Sequence, residues 1–355
     1  MFFLHVIIAI ISLLALVVIH ELGHFLMAKR LGVKVEEFGI GIPPRIFGKK
    51  IGETIYSLNL LPIGAFVKMY GEDEQINDER SFSQKSIFQR SLIILAGVAA
   101  FWIVAFLILT FMATMKLPAL VGDEDHVEDA KVMVLNLEPD MAANQAGIQI
   151  GDIIHSLSKG DNYILANRIG DVSSFLYENK GEEILATIDR NGNIYEILLS
   201  SNDERGVMGF HIARVALKSY PWYQAPYQGA LMTGRLTYRI VTTLGDTAIR
   251  AITGKPLPDE VRFAGPVGIV TDVFVGALES GFQRYLEIIV MISISLAIFN
   301  LLPIPALDGG RFLFLMIEKI KGSPLNQKVE QGLIAISFIM LIGLFILVTF
   351  YDIKG

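Results

Sequence analysis

His20-Glu21-Leu22-Gly23-His24 sets two histidines four residues apart, with a glutamate beside the first. On an α-helix, residues i and i+4 share one face. Their ring nitrogens can therefore converge on one Zn²⁺, and the glutamate can deprotonate a water that the metal polarises. The chemistry this pattern suits is metal-assisted hydrolysis. With 6 His and 36 Asp plus Glu in 355 residues, an accidental His-acid-x-x-His is expected roughly 0.01 times per chain, so chance explains it poorly. The motif also lies in an apolar segment that begins at Phe2, where three ionisable groups are costly to bury and signal function.

The rest of the composition agrees with that setting. Hydrophobic residues make up 52% of the chain and charged residues 19%, below the roughly 25% charged of an ordinary soluble domain, so the chain belongs in a lipid bilayer. Its 355 residues allow a helical membrane core plus one soluble domain. A net charge of −6 argues against a nucleic-acid partner. There are no cysteines, which excludes disulfides and thiolate metal sites.

Residues Met1 to Leu26 lack the basic start and the small-x-small cleavage pattern of a signal peptide, so Phe2 to about Ala28 is expected to stay as a transmembrane helix. Further spans are expected at Ser91–Met115, about Tyr285–Leu302 and Gly332–Phe350. The segment after the first span carries Lys29, Arg30, Lys34, Arg45, Lys49 and Lys50, and that between the third and fourth carries Arg311, Lys319, Lys321 and Lys328. The second span leads into the acidic run from Asp123 to Asp129. The positive-inside rule then puts both basic segments in the cytoplasm, the long central region outside, and His20 and His24 at the cytoplasmic end of the first span.

Catalytic zinc usually takes three protein ligands and keeps one position for water. His5 is 15 residues before His20, about 22 Å along the same helix, and cannot share the metal. His126, His155 and His211 fall in the outward region. Asp308 is the better candidate, because the third span runs from outside to inside and delivers it to the depth of the histidines. Pro303 and Pro305 break the helix there, and Gly309-Gly310 permits a tight backbone, as where non-helical chain lines an aqueous cavity. On local sequence alone, Asp308 is also suited to capping a helix that continues from Arg311.

With these residues in view, the chain resembles the site-2 proteases, zinc metalloproteases that cut inside membranes, and most closely the bacterial regulator-of-sigma type with a single PDZ domain. The matching features are His20-Glu21-Leu22-Gly23-His24, the Leu-Asp-Gly-Gly of Leu307 to Gly310, and the Asn-x-x-Pro-x-Pro that begins at Asn300. Phe38-Gly39-Ile40-Gly41, the stretch Pro62 to Met69, and Gly265-Pro266-Val267-Gly268-Ile269 also look like family segments. The resemblance implies that His20, His24 and Asp308 bind zinc, that Glu21 is the general base, and that Asn300 helps to hold substrate. One departure stands out: Ala96-Gly97-Val98-Ala99-Ala100-Phe101 occupies the place where such proteins often have Ala-Gly-Pro followed by an asparagine.

The region between the second and third spans reads as β-rich. Val132–Leu135 suits a strand, Pro139–Gly147 a turn with a short helix, and Glu183–Ile188 with Ile194–Leu199 a hairpin about Asn191-Gly192-Asn193. The Ala-Gly-x-x-x-Gly-Asp-x-Ile run at Ala146 to Ile154 resembles a PDZ domain over about residues 122–214, against the plainer reading of a non-binding spacer. Thr54–Leu60 and Ala65–Met69 are expected to form a membrane-associated hairpin around Leu61-Pro62-Ile63-Gly64. Its edge, through Gly64, Ala65 and Phe66, would hold substrate extended beside the zinc. Tyr220, Trp222, Tyr223 and Tyr227 precede a mixed stretch, Leu231–Ile252, that suits an interfacial amphipathic helix, and Gly265–Val270 suits a tight reentrant turn.

The expected architecture is therefore an α-helical integral membrane protein of about four transmembrane helices and a hairpin, with one inserted PDZ-like β-rich domain. Its parts are 1–115 and 285–355 as membrane core, 122–214 as the PDZ-like domain, and 215–284 as the interfacial and reentrant segment. The expected function is a zinc-dependent intramembrane endopeptidase of a bacterial inner membrane, with its active site toward the cytoplasm and the PDZ-like domain outside. By resemblance, its partners are the bilayer and single-span proteins already cut by another protease, such as anti-sigma factors or remnant signal peptides; the PDZ-like domain would serve either to contact substrate ends or as a steric filter that rejects bulky outer domains. An inactive PDZ-bearing scaffold has no use for Glu21 beside two ligating histidines. A transporter would explain buried charge, but internal hydropathy repeats are absent.

Overall fold

The apolar N-terminal run forms one helix, α1 (Phe2–Arg30), with Lys29 and Arg30 in its last turn, where cations favour the negative end of the helix dipole. It is part of a computed structural model that describes residues 2–125, 127, 129–138, 141–190, 192–200, 208–256 and 265–354. The chain divides into two units, Met1–Met112 with Gln224–Gly355, and Ala113–Tyr223.

In the first unit α1 is followed by two long antiparallel strands, β1 (Val35–Ile51) and β2 (Thr54–Met69). The hairpin turns at Gly52-Glu53, where Gly52 takes a φ of +61° that suits glycine, and not at Leu61–Gly64 as the sequence suggested. Leu61–Gly64 bends β2 without reversing it, and β1 bends at Pro43-Pro44. The two halves of each strand therefore lie in one sheet: Val35–Ile40 pairs with Ala65–Met69 on one side and with Ile55–Leu58 on the other, and the latter also pairs with Phe47–Lys50. The Asn59 amide holds the bend by donating to the carbonyls of Ile40 and Gly41. At the turn, Lys29 and Arg80 both bind Glu53 and hold its carboxyl down at about 2, tying the hairpin to the end of α1. Ala65–Met69 is left as an outer edge with no further strand beside it among the described residues.

The second span, α2 (Ile87–Thr114), contains no charge after Arg90 and is the most buried of the crossing helices. Phe25, Ala28, Val35, Phe38, Met69, Ile93 and Leu315 form one core that packs the sheet against the ends of three helices.

The second unit is built on a seven-stranded antiparallel sheet. Its strands are β3 (Leu117–Leu120), β4 (Lys131–Leu137), β5 (Ile153–Lys159), β6 (Asn162–Leu165), β7 (Glu183–Arg190), β8 (Asn193–Ser200) and β9 (Phe210–Lys218), in the order β3-β9-β4-β5-β7-β8 with β6 on β5. Helices α3 (Ala142–Gln145) and α4 (Ile169–Glu178) complete it. Ile184, Ala186 and Ile188 alternate inward on β7 and meet Val132, Val134, Val172 and Phe175 in the core. The expected strand at Val132–Leu135 and the hairpin at 183–199 are present, their strands running one or two residues further at an end. Asn191 of the hairpin turn and Pro139 at the start of the expected short helix lie outside the described residues. In the run Ala146–Ile154, Ile153 and Ile154 begin β5. The loop before them is fixed by buried Asp152, which accepts from Arg190 and from the Gln149 N–H.

The chain returns to the first unit through α5 (Ala225–Thr253), an amphipathic helix where one was expected. The segment expected as a tight turn at Gly265–Val270 is helical instead. It comprises α6 (Pro266–Gly268), a π-helical stretch over Ile269–Phe274, and α7 (Val275–Glu279). Asp352, far along the chain, accepts the N–H groups of Gly265 and Gly268 and so supplies the helix start with the acceptor that the local sequence lacks. Then come α8 (Phe282–Asn300), α9 (Asp308–Lys321) and α10 (Gln327–Lys354). Among the described residues four helices, α1, α2, α8 and α10 as far as Phe350, are long and apolar enough to cross a membrane, and this is a membrane protein.

Candidate active site

Helix α1 carries His20 and His24 one turn apart, both buried, with their Nε2 atoms 3.2 Å from each other. Asp308 is the first residue of α9, and its Oδ2 lies 3.3 Å from both of those nitrogens. It does not cap its helix, whose cap position is Leu307, and its Oδ2 is buried without a hydrogen-bond partner. The His24 Nδ1 is 2.9 Å from the Ile93 carbonyl, which can only accept, so Nδ1 carries the proton and Nε2 presents its lone pair. Three atoms of ligating type, the two Nε2 and the Asp308 Oδ2, thus face one point. Ligands about 2.0–2.1 Å from a tetrahedral Zn²⁺ stand about 3.3–3.4 Å apart, so the residues fit that ion in donor type and in spacing. Glu21 sits beside them, within the 4.8 Å over which its carboxylate and the two histidines cluster.

One stripe of α2 supports both histidines. Ile93, Gly97 and Phe101 recur every four residues and so share a face. The Ile93 carbonyl orients His24, and the Phe101 ring stacks on His20 with centroids 4.8 Å apart. Gly97 leaves space that the His24 ring fills; a Cβ there would overlap the ring. Gly23 plays the matching part on α1, since a Cβ would fall 2.9 Å from the Gly97 Cα and overlap the Ala96 carbonyl oxygen. We expect Gly97→Ala to push the His24 ring aside and reduce zinc occupancy of the purified protein at least about ten-fold, the scale of losing a supporting contact. Metal analysis showing full occupancy would remove Gly97 from this role.

Asp308 is delivered by an equally close approach. A Cβ at Gly309 would overlap the Leu301 and Leu302 carbonyls, and one at Gly310 the Ile304 backbone, so the turn after α8 can fold tightly onto the start of α9. Arg311, one turn on, pairs with Glu72 just past the end of β2 and ties the helix bearing Asp308 to the edge strand. A cavity opens here, lined by Glu21, His24, Asp308, Arg311 and the edge residues Phe66 to Met69.

Sequence-predicted residues divide at this cavity. His20, Glu21, His24 and Asp308 come together, and Phe66 reaches the cavity wall with its ring against Gly39. Ala65 pairs with Ile40 on the same edge segment, and Gly64, at a φ of +85°, makes the bend before it. Asn300 does not line the cavity, and its amide donates to the Leu296 carbonyl of its own helix. Ile93, Gly97, Phe101, Glu72 and Arg311 were not singled out as site residues. Ile93 acts through a carbonyl that every residue type carries, while the run Ala96–Phe101 had at least been marked by its departure from the family pattern.

Comparison with known proteins points the same way. The model of the peptidase family M50 matches residues 8–344. A Clostridium acetobutylicum protein provisionally named a zinc metalloprotease is 33% identical over 359 residues, covering 99% of this chain and 98% of its own. A similarly named Clostridium perfringens protein is 31% identical, with 99% and 98% covered. The regulator of sigma-W protease RasP of Bacillus subtilis is 28% identical, with 99% of each chain covered.

Proposed function

The chain belongs to peptidase family M50 and is a zinc metalloprotease, and from that premise we propose that it hydrolyses peptide bonds within or beside the transmembrane segments of single-span proteins. The observation that carries this reading is the meeting of Asp308 Oδ2 with His20 Nε2 and His24 Nε2 at 3.2–3.3 Å, the two histidines being on a helix apolar enough to span a bilayer. These three residues hold the zinc. When bound, zinc supplies a Lewis acid that acidifies water and polarises a carbonyl. Glu21 is the base: its carboxylate accepts the proton that the attacking water gives up and returns it to the amide nitrogen as the C–N bond breaks. Ile93 keeps His24 in one tautomer throughout.

A transmembrane substrate arrives helical, with its carbonyls already hydrogen-bonded, and has to be unwound before attack. The outer edge Ala65–Met69, without a further strand beside it among the described residues, offers replacement partners by strand addition, with Gly64 setting the bend and Phe66 on the cavity wall. Asn300 joins in when its amide exchanges the Leu296 carbonyl for one of the substrate. The basic segments that follow the first and third spans support a site facing the cytoplasm, with Ala113–Tyr223 outside and α5 at the outer interface. Within the outer unit we read residues 122–214 as a PDZ-like module that meets the ends of substrates trimmed by another protease, with 1–115 and 285–355 as the membrane core and 215–284 joining them. Membrane anti-sigma factors and remnant signal peptides suit such a site.

The test is cleavage of a single-span reporter by the purified enzyme in lipid nanodiscs, with the cut located by mass spectrometry. We expect it within the membrane segment or at its edge. Cuts confined to the reporter's soluble portions would overturn the proposal.

A further inference from the structure

His20 and His24 are supported differently. His24 has the Ile93 carbonyl on Nδ1, the usual arrangement in which a ligating imidazole gives its second N–H to an acceptor and is thereby fixed in tautomer and orientation. His20 Nδ1 is buried without a hydrogen bond, the Gly97 carbonyl near the ring falling short of bonding geometry. What the His20 ring has instead is Phe101, whose ring lies nearly parallel to it at an interplanar angle of 16°.

Phe101 is itself firmly held. It is 2% exposed, packs with Leu16, Val98 and Ala297, and its carbonyl accepts the hydroxyl of Ser293, a fully buried residue of α8. Three membrane helices therefore fix the plane of this ring, and the ring in turn limits how the imidazole can rotate. A stacked aromatic pair contributes beyond the area it buries, and it does so without a polar atom in a membrane interior.

We propose that Phe101 is a positioning residue for His20, orienting this zinc ligand by ring stacking in place of a hydrogen bond. The inference rests on His20 being a metal ligand. It also gives a role to Phe101 within Ala96–Phe101, the run marked above by its departure from the pattern that the resemblance implies.

The experiment compares full-length wild type, Phe101→Leu, which keeps an apolar side chain but no ring, and Phe101→Tyr, which keeps the ring. Zinc affinity is read by competition with a chromogenic chelator, and ligand geometry by the visible absorption of the cobalt-substituted protein. We expect Phe101→Leu to bind zinc about ten-fold more weakly and to change the cobalt spectrum, the scale of losing a supporting partner of a ligand, while Phe101→Tyr retains both. Wild-type affinity and spectrum in Phe101→Leu would overturn the proposal. If the leucine variant does not assemble, Phe101→Met, with an unbranched chain that adapts to the gap, is read in its place by the same criteria. His20→Ala separates the two levels: undiminished zinc affinity there removes His20 as a ligand, whereas loss of zinc there with unchanged affinity in Phe101→Leu rejects the stacking role alone.

Discussion

Replacing Glu21 by glutamine is expected to lower turnover of a transmembrane reporter about 10³-fold, within the range of general acid–base catalysis, and to leave zinc content unchanged. The two halves of this result follow from different parts of the geometry. Turnover falls because a carboxamide of nearly the same shape cannot accept a proton from water or return one to the leaving nitrogen. Zinc stays because the triangle of converging ligand atoms belongs to His20, His24 and Asp308, with Glu21 beside it. Single-turnover cleavage in detergent, paired with metal stoichiometry on the same preparation, reads both. Wild-type cleavage by Glu21→Gln removes Glu21 as the base, and loss of zinc moves it into the ligand set.

How far this site was legible in the sequence depends on how local its determinants are. His20 and His24 needed only helical spacing, and an apolar run guaranteed the helix. Asp308 lies 284 residues beyond His24 and became visible through span topology, since two further crossings return the chain to the same depth. The hairpin was read a step wrong because Pro62 and Gly64 look like a turn, while they bend a strand whose partners come from Val35–Ile51, a segment interrupted by two prolines. Gly265–Val270 was read as a turn because the acceptor that starts its helix, Asp352, is 84 to 87 residues away. Gly97 could not be assigned at all from sequence, since its value lies in what it leaves empty for His24.

Asp308→Ala is expected to strip the zinc. The remaining pair of imidazoles is an incomplete set for an ion that usually takes three protein ligands, so the loss should exceed the roughly 10–100-fold that follows removal of a supporting residue. Stability gives an independent reading. An ion that binds only the folded protein stabilises it by about 2.7 kcal/mol when present at a hundred times its dissociation constant. Chelation should therefore lower the thermal midpoint of the wild type and leave that of Asp308→Ala unmoved. The variant should still assemble, because the tight packing at this turn is made by Gly309 and Gly310 against the Leu301–Pro305 backbone and does not use the carboxylate. Asp308→Asn refines the point: it preserves the side chain's shape but removes the one anionic ligand, and it should behave like alanine in zinc content and in its indifference to chelator. Zinc content, activity and chelator response all unchanged in Asp308→Ala would place the third ligand elsewhere. An intermediate asparagine variant would mean that position, more than charge, is what Asp308 supplies.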